Sequence, residues 1–338
     1  MKVSELGEFG LIARLAEAFA RSGQPSCLVI GIGDDAAAWR ASGVQLVTTD
    51  TLIEGTHFSL SYVPWRDLGW NALTVNVSDI AAMGGIPEQA LLTLALPSQT
   101  EVAQVDEFLD GMLEACSEYG TAVVGGDIVG CDRTMVTVTL IGRALADDQG
   151  EPLLMTRSGA QAGDAIAVTG YLGDSAGGLR ILLAKGATSG EAADYLKRAH
   201  LHHKPHLTTG QMAAREGVRA AIDVSDGLLQ DLGHVCEASD LGAIVHAQRI
   251  PISPALRQAF PQDALALACG GGEDYQLLLT APPEVIERVK DKAEVTIAVI
   301  GEMVADRQQR VRLLDEEGRE MAPPAAGWDH LRGATWRR

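Results

Sequence analysis

Positive charge is what this sequence lacks most. Twenty-seven Lys and Arg stand against 45 Asp and Glu, a formal net charge of −18 at pH 7. Phosphate backbones are bound by a surplus of Lys and Arg, so the balance argues against nucleic acid as the main partner. Much of the negative charge simply keeps the chain soluble, but acids clustered beside glycines need a local explanation. Long apolar runs are missing too. None approaches the roughly 18 residues that a membrane span requires, and no membrane partner is expected. The start, MKVSELGEFGLIARLAEAF, has early acids and an amphipathic pattern, which is not that of a secretory signal. Cysteine is sparse and unpatterned: Cys27, Cys116, Cys131, Cys236 and Cys269 form no C-x-x-C pair. An odd, scattered set is expected to be reduced thiol in a cytoplasmic protein.

Several motifs are absent as well. There is no G-x-x-x-x-G-K-[ST], and GIGDDA lacks the third glycine of a dinucleotide fingerprint. No EF-hand loop, H-E-x-x-H, Cys/His metal spacing or G-x-S-x-G elbow occurs. His202, His203 and His206 lie in a cationic segment that reads equally well as a loop.

What is present is an ordinary globular composition, 46% hydrophobic and 21% charged, in 338 residues. That length exceeds one typical core and predicts two domains. Periodicity predicts helices over Leu6–Arg21, Asp67–Val77 continuing towards Ala81, and Glu101–Tyr119. Strands are expected at Val44–Thr49, Leu91–Leu96, Val123–Gly125 and Met135–Arg143. The polar break ADDQGEP at 146–152 marks the boundary between domains 1–147 and 148–338. Beyond it, strands Ala165–Thr169 and Tyr275–Thr280 alternate with helices Ser175–Lys185, Leu207–Glu216 and Leu228–Ser239. Both halves are therefore mixed α and β.

Six segments join acids to glycine or to turn residues: GIGDDAA (31–37), TTDTLIEGTHF (48–58), NVSDIAAMGG (76–85), GGDIVG (125–130), DVSDG (223–227) and GGGEDY (270–275). Each alone reads as an N-cap or a turn. Together they do not, because flanks such as Val77, Ile80, Val224 and Leu228 are apolar and place the carboxylates near buried surface. Two like charges about 4 Å apart repel by about 4 kcal/mol near a protein surface. A cleft that gathers several must raise their pKa values or bind cations. Hard cations such as Mg²⁺ take carboxylate and phosphate oxygens, and glycine lets phosphate approach backbone N–H groups. The cluster suggests a site for a polyanion bridged by Mg²⁺.

In this order, these segments resemble the thiamine-monophosphate kinase family, of the superfamily that includes aminoimidazole ribonucleotide synthetase. The likeness runs from GEFGLIARL through LMTRSGAQAGDAIAVTGYLGDSAGGL to GWDHL and covers nearly the whole chain. DVSDG recurs across the superfamily; the entry segment, TTDTLIEGTHF and GWDHL select the family. The resemblance implies an N-terminal α/β domain that forms a β-barrel across a homodimer, and a C-terminal α/β domain. It implies ATP as co-substrate, thiamine phosphate as acceptor and several Mg²⁺ ions. Metal ligands carry over to Asp35, Thr48, Thr49, Asp50, Asp79, Asp127, Asp223 and Asp226, with Thr48 offering only its backbone carbonyl. Nucleotide contacts carry over to Gly126, Asp127, Arg157 and Ser225. Substrate contacts carry over to His57, Glu273 and Trp328. An already ionised acceptor phosphate needs no strong base, and a site rich in aspartate suits metal-assisted transfer.

Overall fold

The helix expected over Leu6–Arg21 is interrupted near its start. Gly7 takes φ 76°, separating α1 (Val3–Leu6) from α2 (Glu8–Arg21). Leu11, Leu15, Ala18 and Phe19 of α2 are buried at helical spacing. The computed structural model describes residues 1–21, 25–32, 36–184, 189–306 and 311–324. Its contacts divide the chain into two compact units, one of Met1–Ile80 with Gly85–Ala146, the other of Ala81–Gly84 with Asp147 onward.

The first unit continues with short strands β1 (Leu28–Ile30) and β2 (Ala38–Trp39), then β3 (Gln45–Ile53), α3 (Trp65–Ala82), β4 (Ile86–Leu96), α4 (Val102–Tyr119), β5 (Ala122–Gly130), β6 (Met135–Arg143) and β7 (Leu145–Ala146). Its main sheet has the order β3-β6-β4-β5, antiparallel except for the parallel β4–β5 pair. Val136, Val138 and Leu140 of β6, with Ala90, Leu92 and Leu94 of β4, are buried at period two and form the core face. The opposite face carries Val47, 66% exposed, and Val129, 45% exposed. α3 is buried on nearly every side, Thr74, Asn76 and Ser78 included. It meets α4 backbone to backbone: a Cβ on Gly69 would lie 1.9 Å from Phe108 O, and one on Gly111 would lie 1.8 Å from Arg66 O.

β5 is longer than the expected Val123–Gly125, and it runs through glycines and an aspartate that strand propensity disfavours. Register with β4 overrides propensity, pairing Leu92 with Gly126 and Thr93 with Asp127. Gly126 has φ 155°, and a Cβ there would sit 1.8 Å from Leu92 O. No other residue fits that approach.

The second unit follows β8 (Pro152–Leu153) with β9 (Ala165–Thr169), α5 (Asp174–Leu183), α6 (Glu191–Leu201), α7 (Leu207–Glu216), β10 (Ala220–Val224), α8 (Leu228–Ser239) and β11 (Gly242–His246). It ends with α9 (Pro254–Ala259), α10 (Ala264–Gly270), β12 (Gln276–Ala281), α11 (Pro283–Lys292), β13 (Ile297–Val304), β14 (Val311–Leu314) and β15 (Glu320–Met321). One sheet of order β10-β12-β9-β13-β11-β14-β15 holds the strands from β9 onward, antiparallel except β11–β14. Helices cover both faces. Ile222, Val224 and Leu278 join Leu228, Leu232 and Leu256 in one core, while Ala221, Leu277 and Leu279 join Ala213, Ile286 and Val289 in the other. β10 and β12 therefore place the loops that follow Val224 and precede Gln276 at the same end of the sheet.

Candidate active site

In the first unit, alternation along β3 sorts the predicted ligands by face. Thr48 and Asp50 share one face and Thr49 takes the other. Thr48 Oγ1 donates to Asp79 Oδ2 at 2.5 Å, which ties β3 to the last turn of α3. Thr49 Oγ1 instead lies 3.0 Å from Thr139 Oγ1. The first V-S-D is thus helix interior, with Ser78 fully buried. Asp127 is remote from Asp50. β3 and β5 are opposite edges of the sheet, and the row Asp50–Val138–Leu92–Gly126 crosses all four strands. Three strand spacings separate its ends by about 14 Å. His57 follows β3 in a turn whose Ile53 N–H donates to His57 Nδ1 at 3.0 Å.

In the second unit the other V-S-D is a strand end. Asp223 is 4% exposed on β10, and Ser225, Asp226 and Gly227 lead into α8. Asp231 Oδ2 accepts the N–H groups of Ser225, Asp226 and Gly227 at 3.1, 3.1 and 3.0 Å. The GGGEDY segment meets this loop from the other side. Glu273 N donates to Ser225 O at 2.7 Å and Tyr275 N to Val224 O at 2.9 Å. Glu273 and Tyr275 hold φ 64° and 50°, a left-handed geometry that costs a non-glycine residue energy and is typical of functional loops. Ser225 thus spends both backbone groups inside the protein.

Buried polar groups surround that loop. Asp274 accepts Gly173 N at 2.6 Å and Ser175 N at 3.1 Å at the start of α5. Ser253 Oγ donates to Asp174 Oδ1 at 2.5 Å and Tyr195 OH to Asp174 Oδ2 at 2.9 Å. His200 Nδ1 lies 3.0 Å from Ser175 Oγ and 3.4 Å from Glu273 Oε2. Burial, then the charge of Asp226, pushes Asp231 and Glu273 each up to about 7. Glu273 keeps 32% of its side chain exposed, so water moderates its shift. Burial raises Asp274 to about 8, against the pull of its two backbone donors. Burial lowers His200 to about 4 and keeps it a neutral partner.

The predicted donors fit Mg²⁺ in kind, since carboxylates and hydroxyls are the hard oxygens it prefers. Among the described residues, however, no three acidic, His or Cys side chains converge on one point. In the first unit Thr48 and Asp50 share a face of β3 and Thr48 is tied to Asp79; in the second, Asp223 and Asp226 lie three residues apart across the end of β10. Phosphate oxygens and water complete such partial sets in phosphoryl-transfer sites. Arg157 is exposed in a turn, and its carbonyl accepts Ser239 Oγ at 2.9 Å at the C-terminal end of α8. Gly227 caps the other end, about 18 Å away at 1.5 Å per residue, so this unit does not bring Arg157 to the Asp226 loop. Asp35 and Trp328 lie outside the described residues. Sequence reasoning assigned no task to Asp231, Asp274 or His200. The signal for Asp231 was there, a third acid in an apolar stretch; Asp274 and His200 are explained only by neighbours far along the chain.

Comparison with known proteins matches the chain in two parts. Residues 33–144 match the family described as AIR synthase related protein, N-terminal domain, and residues 161–314 match its C-terminal domain. A thiamine-monophosphate kinase of Escherichia coli O157:H7 is 39% identical over 340 residues, covering 96% of this chain and 98% of the relative. The crystal structure of thiamine-monophosphate kinase from Stenotrophomonas maltophilia K279a superposes with TM-score 0.79 at 34% identity, covering 92% of this chain and 96% of that one. A structure described as "AaThiL complexed with AMPPCP and TMP" has TM-score 0.75 at 33% identity, covering 98% and 99%.

Proposed function

This chain belongs to the AIR synthase related proteins, within the thiamine-monophosphate kinase family, and from that premise we propose that it transfers the γ-phosphoryl group of ATP to thiamine phosphate, giving ADP and thiamine diphosphate. The observation that supports this is two sets of oxygen-bearing side chains on regular secondary structure: Thr48 and Asp50 on one face of β3, with Thr48 hydrogen-bonded to Asp79 in the last turn of α3, and Asp223 on β10 with Asp226 just beyond its end. A similar protein has been solved with AMPPCP and TMP together, an occupancy that suits such groups.

Bound Mg²⁺ would neutralise the phosphate oxygens and hold attacking and leaving oxygens in line. The chain's own part is to place carboxylates. Asp50, Asp79, Asp127, Asp223 and Asp226 would hold the ions, with Asp35 and Thr49 added by family likeness. Thr48 orients Asp79 through its hydroxyl. Ser225 would meet the nucleotide through its side chain, because its N–H and C=O are occupied. Glu273 would face the cationic acceptor, steadied by His200. Trp328 would stack on the positively charged thiazolium and His57 would contact the same ligand.

A homodimer completes this scheme. Two copies that joined the β3 edge of one sheet to the β5 edge of the other would close a β-barrel and bring Asp127 of one copy to Asp50 of the other. The test is an ADP-release assay with Mg·ATP and thiamine phosphate, the product identified by mass. Thiamine diphosphate forms only when acceptor and Mg²⁺ are present. Asp79→Asn and Asp223→Asn each lower turnover by at least about 10²-fold while remaining folded by circular dichroism. Near-normal turnover in both variants would sink the clamp, and absence of the product from the unaltered chain would sink the reaction.

A further inference from the structure

Asp231 has no task in the reaction just described, yet it is the hub of the loop that carries two of the assigned residues. It lies in the first turn of α8 and is 2% exposed. One of its oxygens, Oδ2, takes three consecutive N–H groups, those of Ser225, Asp226 and Gly227. Successive amides turned towards one point form a nest, the arrangement that elsewhere grips a phosphate oxygen. Here the nest is filled from within by the protein's own carboxylate. The remaining contacts turn the loop the same way. Ser225 O and Val224 O are held by Glu273 N and Tyr275 N, and Gln230 Nε2 donates to Asp226 Oδ2 at 3.2 Å.

We propose that Asp231 is a positioning residue that occupies the Ser225–Gly227 amide nest, so that the loop presents the Asp226 carboxylate and the Ser225 hydroxyl, rather than backbone N–H groups, to a magnesium nucleotide. This rests on the assignment of Asp226 and Ser225 made above. A nest left empty would attract the phosphate chain directly and weaken the requirement for metal. A filled nest makes nucleotide binding depend on a cation that Asp226 can hold.

The experiment measures ATP binding by calorimetry over a range of Mg²⁺ concentrations, without acceptor, for the unaltered chain, Asp231→Ala and Asp231→Asn. In Asp231→Ala the Mg²⁺ needed for half-maximal ATP binding falls by about tenfold or more, the scale of a lost hub of three hydrogen bonds. Asp231→Asn keeps an acceptor oxygen and recovers most of the original value. A role confined to packing would lower thermal stability and leave the Mg²⁺ dependence of the folded fraction where it was. That result overturns the proposal. A second measurement needs no variant: amide hydrogen exchange at 225–227 is slow with and without Mg·ATP. Rapid exchange there in the absence of nucleotide overturns it as well. If the unaltered chain binds no Mg·ATP, both this proposal and the assigned function fail. If it binds but Asp231→Ala behaves identically, only this proposal fails.

Discussion

Three carboxyl groups of the second unit keep their protons to unusually high pH. Asp231 and Glu273 reach about 7 and Asp274 about 8, against ordinary values of 3.8, 4.5 and 3.8. For these groups the folded state binds protons more tightly than the unfolded state, so stability falls as pH rises through their range. Buried His200 and His203 act oppositely, lowered to about 4 and about 3 from 6.5, so they cost stability as pH falls below 6.5. The two effects oppose each other between pH 4 and 6.5, where both sets differ between states. Above pH 6.5 only the carboxyl effect remains. In Mg²⁺-free buffer the melting temperature of this unit therefore drops from pH 6.5 to 8, at roughly 2–4 °C per kcal/mol lost. Asp274→Asn flattens that slope even though it lowers the melting temperature overall. A scanning-calorimetry trace that is level or rising over this range contradicts the assignment of buried protons. At this scale the sequence was informative where an acid sat among apolar neighbours, as at Asp79 and Asp223, whose flanks Val77, Ile80 and Val224 are all buried. It was silent on Asp274, because the amides that it caps, Gly173 and Ser175, are about a hundred residues earlier in the chain.

Among the elements, those with strong periodicity were readable and those defined by a neighbour were not. α4, α7, α8, β6 and β9 lie close to where hydrophobic spacing puts them. α6 was missed. Its buried stripe is Ala193, Leu196 and His200, and a histidine stands where the pattern wants an apolar residue. β10 was read only as part of an acidic motif, since an aspartate among five residues hides a strand that is buried throughout. The α3–α4 contact was equally invisible, because it depends on what two glycines leave out. With Gly111 a Cβ would stand 1.8 Å from Arg66 O, and neither backbone has room to yield. Gly111→Ala is therefore expected to destabilise the first unit by about 1–3 kcal/mol or more, as overpacking does. Thermal unfolding monitored by tryptophan fluorescence, with Trp65 and Trp70 both on α3, measures the loss. An unchanged transition would mean that the helices separate without cost.

For the molecule as a whole, the division into two mixed α/β units was legible from length and from alternating helix and strand patterns, and the family from the order of its acidic segments. The placement of Asp50 and Asp127 on opposite sheet edges was not, because strand order depends on pairings that no local pattern encodes. That placement yields a prediction at the scale of the assembly. Asp50→Asn and Asp127→Asn are each expected to be inactive alone. Unfolded together and refolded as a mixture, they regain activity if the proposed dimer forms, because each mixed pair would have one site with both aspartates intact. A mixture as inactive as its components would place both residues in a site built from one copy. The same strand order reaches into heredity. Two lesions in a single gene, one at each margin of the sheet, would rescue each other in a cell carrying both alleles, whereas two at the same margin would not. A map of which alleles complement would then trace the seam between the copies without any structure being solved.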